Sequence, residues 1–237
     1  MWEFETTLGE VIPRTPTVSS FRFPIRARNV RFRAGQFFFI NILVNGQEAE
    51  HHFSFSNSPT EKGYIEFTKR ITSSDFSRTL AAMAPGAWAR LRGPLGGFTL
   101  PRKQRRLCFL SGGIGITPLR SMLGYIADRG LDYDVVLLYS SPSAQEIAFR
   151  EDLDSFAQRH PGIRAVHVLS GGEVPPAWTG RTGLITRELV REVVPDYGQR
   201  LHYVSGPPRM VVGLQGQLMA LGVPAEQIRM DSFTGYD

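Results

Sequence analysis

The sequence predicts a two-domain α+β protein: an antiparallel β-barrel over residues 1–102, then an α/β domain with a parallel sheet over residues 103–237. Three observations predict it. Up to Arg92, short β-rich segments are separated by Pro, Gly and Asn turn signals at barrel-like intervals. Beyond Arg106, strand-like and helix-like segments alternate, the pattern of a parallel sheet covered by helices. Where the second pattern begins, Ser111–Leu123 reads SGGIGITPLRSML and joins an apolar strand, a glycine cluster and a helix start.

In the first domain the β segments include Phe21–Phe23, Gln36–Leu43, Phe53–Ser56, Tyr64–Arg70 and Ala87–Arg92, with one helix over Asp75–Met83. In the second, Leu107–Leu110 is an unbroken apolar run that suits a parallel strand buried on both faces. Gly112, Gly113 and Gly115 permit positive φ and close backbone approach, Thr117 can serve as N-cap, and Pro118 fits the first helical position. Leu119, Met122, Leu123 and Ile126 then fall at helical spacing, and Gly130 ends the helix. The free amides of such a helix start can hold a phosphate, which suits a dinucleotide pyrophosphate, although an ordinary tight βα turn needs the same glycines. Pro118 stands where the third glycine of G-x-G-x-x-G belongs, and there is no Walker lysine. The alternation continues through Val135–Tyr139, a helix carrying Phe149, Leu153 and Phe156, Ala165–Leu169 and a helix over Leu189–Val194. It closes with His202–Ser205, a helix through Val211, Leu214 and Leu218, and a last strand near Ile228.

Composition excludes several functions. The 237 residues suffice for two modest cores, and no apolar stretch approaches the roughly 20 residues of a membrane helix. The N-terminus MWEFETTLGE has no basic-then-apolar signal pattern, so a cytoplasmic location is expected. Cys108 is the single cysteine, which rules out an internal disulfide and a cysteine-ligated cluster in this chain. Five scattered histidines show no metal-ligand spacing. The net charge of +5 fits an acidic partner or a phosphate-rich ligand. Its one concentrated run, Arg102, Lys103, Arg105 and Arg106, lies at the domain junction and reads as a solvated linker, so nucleic-acid binding has no support beyond charge.

Read together, AGQFFFI, HHFSFSNSP, SSDFSRTL, GPLGGFTL, the glycine turn, SGPPRM and the terminal DSFTGY resemble, in this order and over nearly the whole chain, the ferredoxin-NADP reductase family of FAD-dependent oxidoreductases. The resemblance implies a Greek-key topology for the barrel, and a member without a fused iron-sulfur domain. It also implies a set of site residues. The family's R-x-Y-S segment, whose arginine pairs with the flavin pyrophosphate, whose aromatic packs on the flavin and whose serine reaches N5, matches His51, Phe53 and Ser54. Histidine is a weaker and pH-dependent phosphate partner, and Phe53 can stack but cannot hydrogen-bond. Phe55 and Ser56 are expected to bring backbone amides near the ring. SSDFS resembles the family's G-x-x-S, a helix start that holds the pyrophosphate, which assigns Ser74, Asp75, Phe76 and Ser77 to the cofactor, with Asp75 adding an unfavourable charge. Ser74 as an ordinary N-cap is the rival account. The preceding strand contributes Phe67, Thr68, Lys69 and Arg70, whose two cations can replace the one missing at His51, unless they only mark a solvated strand end. The GPLGGF loop approaches the flavin or serves as a barrel turn.

In the second domain the resemblance assigns Gly112, Gly113, Ile114, Gly115 and Thr117 to the nicotinamide dinucleotide. Ser140 and Ser141, after the next strand, set the choice of nucleotide. No arginine stands between Tyr139 and Ser143 to pair with a 2′-phosphate, which favours NADH, with NADPH possible through Arg150 or Arg181. SGPPRM matches the family's C-G-P-P-x-M, so Ser205 replaces the cysteine beside the nicotinamide, followed by Gly206, Pro207 and Met210. Phe233, with Tyr236 second, is the terminal aromatic that covers the flavin and yields when nicotinamide arrives; both can also simply cap the sheet. Ser54, Ser205 and Phe233 are thus the residues expected at the reacting rings.

The activity implied is a hydride transfer from NADH to FAD, with electrons passed singly to a separate carrier, for which an acidic ferredoxin or flavodoxin suits the basic surface. Two other classes stay open. One is a nucleotide-binding regulatory subunit, to which His51, Phe53 and Ser205 give weight. The other is a flavin reductase that takes free flavin as substrate.

Overall fold

The computed structural model describes residues 1–233. Its first half forms two antiparallel sheets that close into a barrel. One has the order β1 (Trp2–Thr7), β7 (Trp88–Leu95), β4 (Phe37–Val44), β5 (Gln47–Ser54). The other has the order β2 (Glu10–Thr15), β3 (Val18–Pro24), β6 (Tyr64–Arg70). Period-two alternation sends Phe38, Ile40 and Ile42 of β4 inward, onto Phe21, Phe23, Phe55 and Phe67. Helix α1 (Asp75–Ala82) inserts Phe76 and Leu80 into the same core. Strands β1 and β2 were not among the predicted segments. Pro13 marks β2 as an edge strand, and its register with β3 shifts between Pro13 and Thr15.

The second half is a fully parallel six-stranded sheet in the order β11 (Arg181–Thr182), β10 (Ile163–Leu169), β9 (Asp134–Ser141), β8 (Arg106–Gly112), β12 (Leu201–Gly206), β13 (Ile228–Ser232). The unbroken apolar runs have their explanation here. Leu107, Phe109, Leu137 and Tyr139 join a core on one face, with α2 (Ile116–Arg129) and α3 (Arg150–Arg159). Cys108, Leu110, Val136 and Leu138 join a second core on the other face, with α4 (Arg187–Val193) and α5 (Pro208–Ala220).

The start of α2 corrects the sequence expectation. Thr117 is not the N-cap; a 3-10 turn over Gly113–Gly115 runs straight into the helix, Gly115 is the cap residue, and Thr117 sits in the first turn. Its hydroxyl donates back to Ile114 O at 3.2 Å. Pro118 is still tolerated, since amides of the first turn have no intrahelical acceptor. At the other end Gly130 closes the helix in the left-handed conformation, as expected.

The amino ends of three strands are tied by one side chain. Arg200, 5% exposed, donates to Leu107 O (3.1 Å) of β8, to Asp134 O and both carboxylate oxygens of Asp134 on β9, and to Asp196 Oδ1 (2.7 Å). The guanidinium holds the Asp196 carboxyl below its ordinary value. Replacing Arg200 by Met leaves these acceptors without their shared donor and is expected to destabilise the protein by ~2–3 kcal/mol, measured as a lower urea midpoint at unchanged slope. An unchanged midpoint would show the strand ends to be held by backbone ladders alone.

Candidate functional site

The order of the parallel sheet reverses direction between β8 and β12, so their carboxyl ends frame a crevice, the position at which open α/β sheets take ligands. The two turns approach each other too closely for side chains. A Cβ on Gly115 would lie 2.3 Å from Ser205 O and 2.5 Å from Gly206 Cα, and one on Gly112 would lie 2.2 Å from Met210 Sδ. Gly113 adopts φ +52°, and its carbonyl accepts from Tyr139 Oη at 2.9 Å. The result is a cleft of about 270 Å³ lined by Gly112, Gly113, Ile114, Ser140, Pro207 and Met210, with Ser170 and Pro142. Arg70 reaches it from the barrel. Beside it, a largely apolar cavity of about 420 Å³ shares Ser140, Ser170 and Met210 and adds Leu184, Ile185 and Arg209.

At the bottom of the crevice Ser205 is fully buried and lies in register between Ser111 on β8 and Asp231 on β13. The hydroxyls of Ser205 and Ser111 have no partner among the described residues. Buried orphan hydroxyls are uncommon and point to a ligand that completes them. Asp231, which no motif in the sequence marks as a site residue, is the acid of this corner. Burial raises its pKa, and the charge of His52 from the barrel partly opposes that rise. Its signal was present in DSFTGY, but an acid one register step from the substituted cysteine position is visible only once β12 and β13 are paired. Phe233 follows, its amide donating to Gly206 O at 3.1 Å. Tyr236 lies outside the described residues.

On the barrel side, β5 and β6 are the neighbouring edges of the two sheets, and α1 packs Phe76 against His51 and Phe53 of β5. The His51 ring packs at a tilt against Phe76, with ring centroids 3.9 Å apart, and Lys69 lies close enough to lower the His51 pKa electrostatically. Burial is the larger cause of that lowering, so His51 is neutral at pH 7. The Lys69 side chain is buried, which lowers its pKa too, and its ammonium donates to Arg70 O at 3.0 Å. Arg70 is bound to Thr17 and Glu146. Ser74 is the N-cap of α1, accepting from Ser77 N at 3.2 Å, which leaves the amides of Asp75 and Phe76 without intrahelical acceptors. Asp75 turns away to Arg78, which removes the repulsion the sequence implied.

Several assigned residues are used elsewhere. The amides of Phe55 and Ser56 donate to Gln36 O and Glu66 O, so they are not offered to a flavin. The Ser56 hydroxyl donates to Glu66 and the Thr68 hydroxyl to Ser56, inside a network that includes Ser20. Phe67 lies in the barrel core, with Phe53 stacked on it at 4.3 Å and only 8% exposed. Ser54, on the opposite face of β5, pairs with Phe37. Ser141 and Gly206 are buried at their strand ends. Arg150 and Arg181, the alternatives for a 2′-phosphate, pair with Asp154 and Glu192.

The crevice makes a direct prediction. Gly115→Ala must push β12 away from the turn, so tight dinucleotide binding is expected to fall by about 100-fold, measured by fluorescence titration with NADH. Gly130→Ala, where the added carbon meets nothing, tests fold stability at a helix end and leaves NADH affinity unchanged. Equal affinity in the Gly115 variant would remove the crevice from the binding site.

Residues 7–100 match the Oxidoreductase FAD-binding domain family and residues 109–215 the Oxidoreductase NAD-binding domain family. NADH-cytochrome b5 reductase 1 of Meyerozyma guilliermondii is 28% identical over 86% of this chain and 73% of its own length. The reductase component of propane 2-monooxygenase from Rhodococcus jostii is 28% identical over 98% of this chain, which spans 64% of that relative. Among solved structures, a ferredoxin NADP+ reductase from Neisseria gonorrhoeae with bound FAD and NADP superposes with a TM-score of 0.83 at 22% identity, covering 97% of this chain and 98% of that one. With both domains matched in sequence and the barrel and parallel sheet in the expected order, the chain belongs to the ferredoxin-NADP reductase-like family of FAD- and NAD(P)-dependent oxidoreductases.

Proposed function

We propose that this chain takes hydride from NADH, in preference to NADPH, onto bound FAD and releases the electrons singly to a separate acidic carrier of ferredoxin or flavodoxin type, in the cytoplasm. The observation that carries this reading is the shared cleft, in which Arg70 of the barrel lines the same space as Gly112, Gly113 and Ile114 of the second domain. The residues fit FAD. The first amides of α1, with Lys69 and His51 beside them, suit its pyrophosphate, and Ser54 suits the ring edge. Bound there, FAD supplies the hydride acceptor and the change from two-electron to one-electron transfer.

The chain's own residues bind and orient. The backbone of Gly112–Gly115 holds the pyrophosphate of the nicotinamide dinucleotide, and Ser205 and Ser111 direct their free hydroxyls at the nicotinamide end. Phe233, anchored to Gly206, covers the flavin face and yields to the incoming ring. Hydride transfer needs no nucleophile, and Cys108 is none, since burial pushes its thiol up to about 12. The engagement of Arg150 and Arg181 with carboxylates supports NADH as the donor.

An acidic carrier suits a groove between the domains, away from the nucleotide cleft. Two adjoining cavities of about 380 and 480 Å³ share Phe32, Pro59 and Tyr125. They are lined by Arg31, Arg33, Lys62, Arg102, Arg105 and Arg129, none of which pairs with a carboxylate among the described residues. Glu61, the one acid there, is bound by Arg120. No helix among the described residues is long and apolar enough to cross a membrane.

The neutral His51 and the closed Phe53 favour one second reading, a weakly held flavin that exchanges as a substrate. Purified protein that is yellow and bleaches when NADH is added without oxygen supports the first reading. A colourless protein active only with added flavin supports the second, and a nucleotide binder that never reduces flavin would contradict both. A large preference for NADPH would overturn the donor assignment.

His51 also sets a pH dependence. Its pKa lies below the ordinary value of about 6.5, so protonation adds a phosphate partner only at lower pH. FAD affinity is therefore expected to rise as pH falls through that depressed value and to weaken above it, with the slope abolished in His51→Gln. A variant that keeps the wild-type slope would show that another group titrates.

A further inference from the structure

Arg120 is 5% exposed and lies on α2, one turn beyond the glycine turn. All five of its N–H groups are used. Nε donates to Asp152 Oδ2 at 2.9 Å and Nη2 to the same oxygen at 2.7 Å. Nη2 also donates to Glu61 Oε1 at 3.2 Å, while Nη1 donates to Glu61 Oε2 and to Ser56 O at 3.0 Å. Its guanidinium carbon stands 5.4 Å from the Phe149 ring and 5.7 Å from the Phe156 ring. Asp152, Phe149 and Phe156 belong to the nucleotide domain, whereas Ser56 and Glu61 belong to the barrel.

The grip is specific to the barrel segment that leaves β5. Ser56 is two residues beyond Ser54, and Glu61 turns back on that segment by accepting from Ser58 N at 2.5 Å and from Tyr64 Oη at 3.1 Å. The next residue on α2 continues the contact, with Ser121 Oγ donating to Asn57 O at 2.7 Å. On one side, then, the clasp is a single helical turn from the dinucleotide glycines. On the other it is two residues from the strand end assigned to flavin.

We propose that Arg120 is a positioning residue for hydride transfer, fixing the register of the nicotinamide-binding turn against the flavin-binding strand through Ser56 and Glu61. The proposal rests on the hydride-transfer reading above. It needs the planar fork of arginine: a lysine in its place has three donors without the geometry to hold a carboxylate, a second carboxylate and a carbonyl together. A misplacement of the two rings by about 1 Å is enough to slow transfer by about 100-fold while each nucleotide still binds.

The test compares wild type, Arg120→Lys and Glu61→Gln as FAD-loaded protein. Single-turnover flavin reduction is measured without oxygen, using NADH and NADH deuterated at the transferred position, with NADH affinity titrated separately. Amide hydrogen exchange over residues 56–61 is followed in the FAD-free proteins. Positioning predicts a reduction rate lower by about 10- to 100-fold, a changed isotope effect, NADH affinity within about threefold, and faster exchange over 56–61. A reduction rate and isotope effect equal to wild type in either folded variant would overturn the proposal, whatever happens to thermal stability. Loss confined to NADH affinity would overturn it as well. If Arg120→Lys fails to fold, the variant at the more exposed partner Glu61 decides. Failure of wild type itself to be reduced would instead refute the hydride-transfer reading.

Discussion

Everything at this site depends on how closely two turns approach each other at the middle of the parallel sheet. With a side chain on Gly115, the end of β12 could not lie where it does, because the added carbon would fall within 2.5 Å of Ser205 and Gly206 backbone atoms. That approach fixes the width of the crevice and brings Ser205 beside Ser111. It also sets the line along which β13 delivers Asp231 and Phe233. A glycine is required here by packing more than by dihedral freedom, and Gly113 alone among the three adopts a left-handed φ.

The barrel is organised around a different constraint. A barrel made of two sheets leaves neighbouring edges, and β5 and β6 are such edges, with Phe76 of α1 packed against the β5 side. The edge gathers cations and helix amides next to aromatic rings, a combination suited to a ligand with a phosphate end and a flat end. The interior just behind it is saturated with its own hydrogen bonds: Glu66 accepts from Arg14, Arg22 and Ser56. This separation explains why a motif residue such as Ser56 is locked inside the barrel, its hydroxyl donating to Glu66.

Much of this was legible in the sequence, and the reasons are specific. The run Leu107–Leu110 announced a strand buried on both faces, and the sheet splits its residues between two cores. The glycine turn announced the crevice, and Ser74 announced a helix start. Failures came where partner identity matters. Thr117 has the composition of a cap, but the 3-10 turn ahead of it moved the helix start back to Ile116. Phe55, Ser56 and Thr68 lie in the right motif, yet their polar groups were claimed by strands that pairing alone reveals. Asp231 stood in DSFTGY with nothing to mark its place at the site, and Arg120 carries no local signature at all. An acid near a chain end and an arginine on a helix acquire meaning only from the strand or domain that folds against them.

The central claim is that one crevice brings a nicotinamide ring and a flavin ring face to face. It is tested most directly by adding NAD+ to the dithionite-reduced, FAD-loaded protein without oxygen and recording the long-wavelength spectrum. Stacked rings give a broad charge-transfer band that is saturable in NAD+ and lost in the Gly115 variant. Saturable NAD+ binding with no such band, in protein that retains its flavin, would contradict the account.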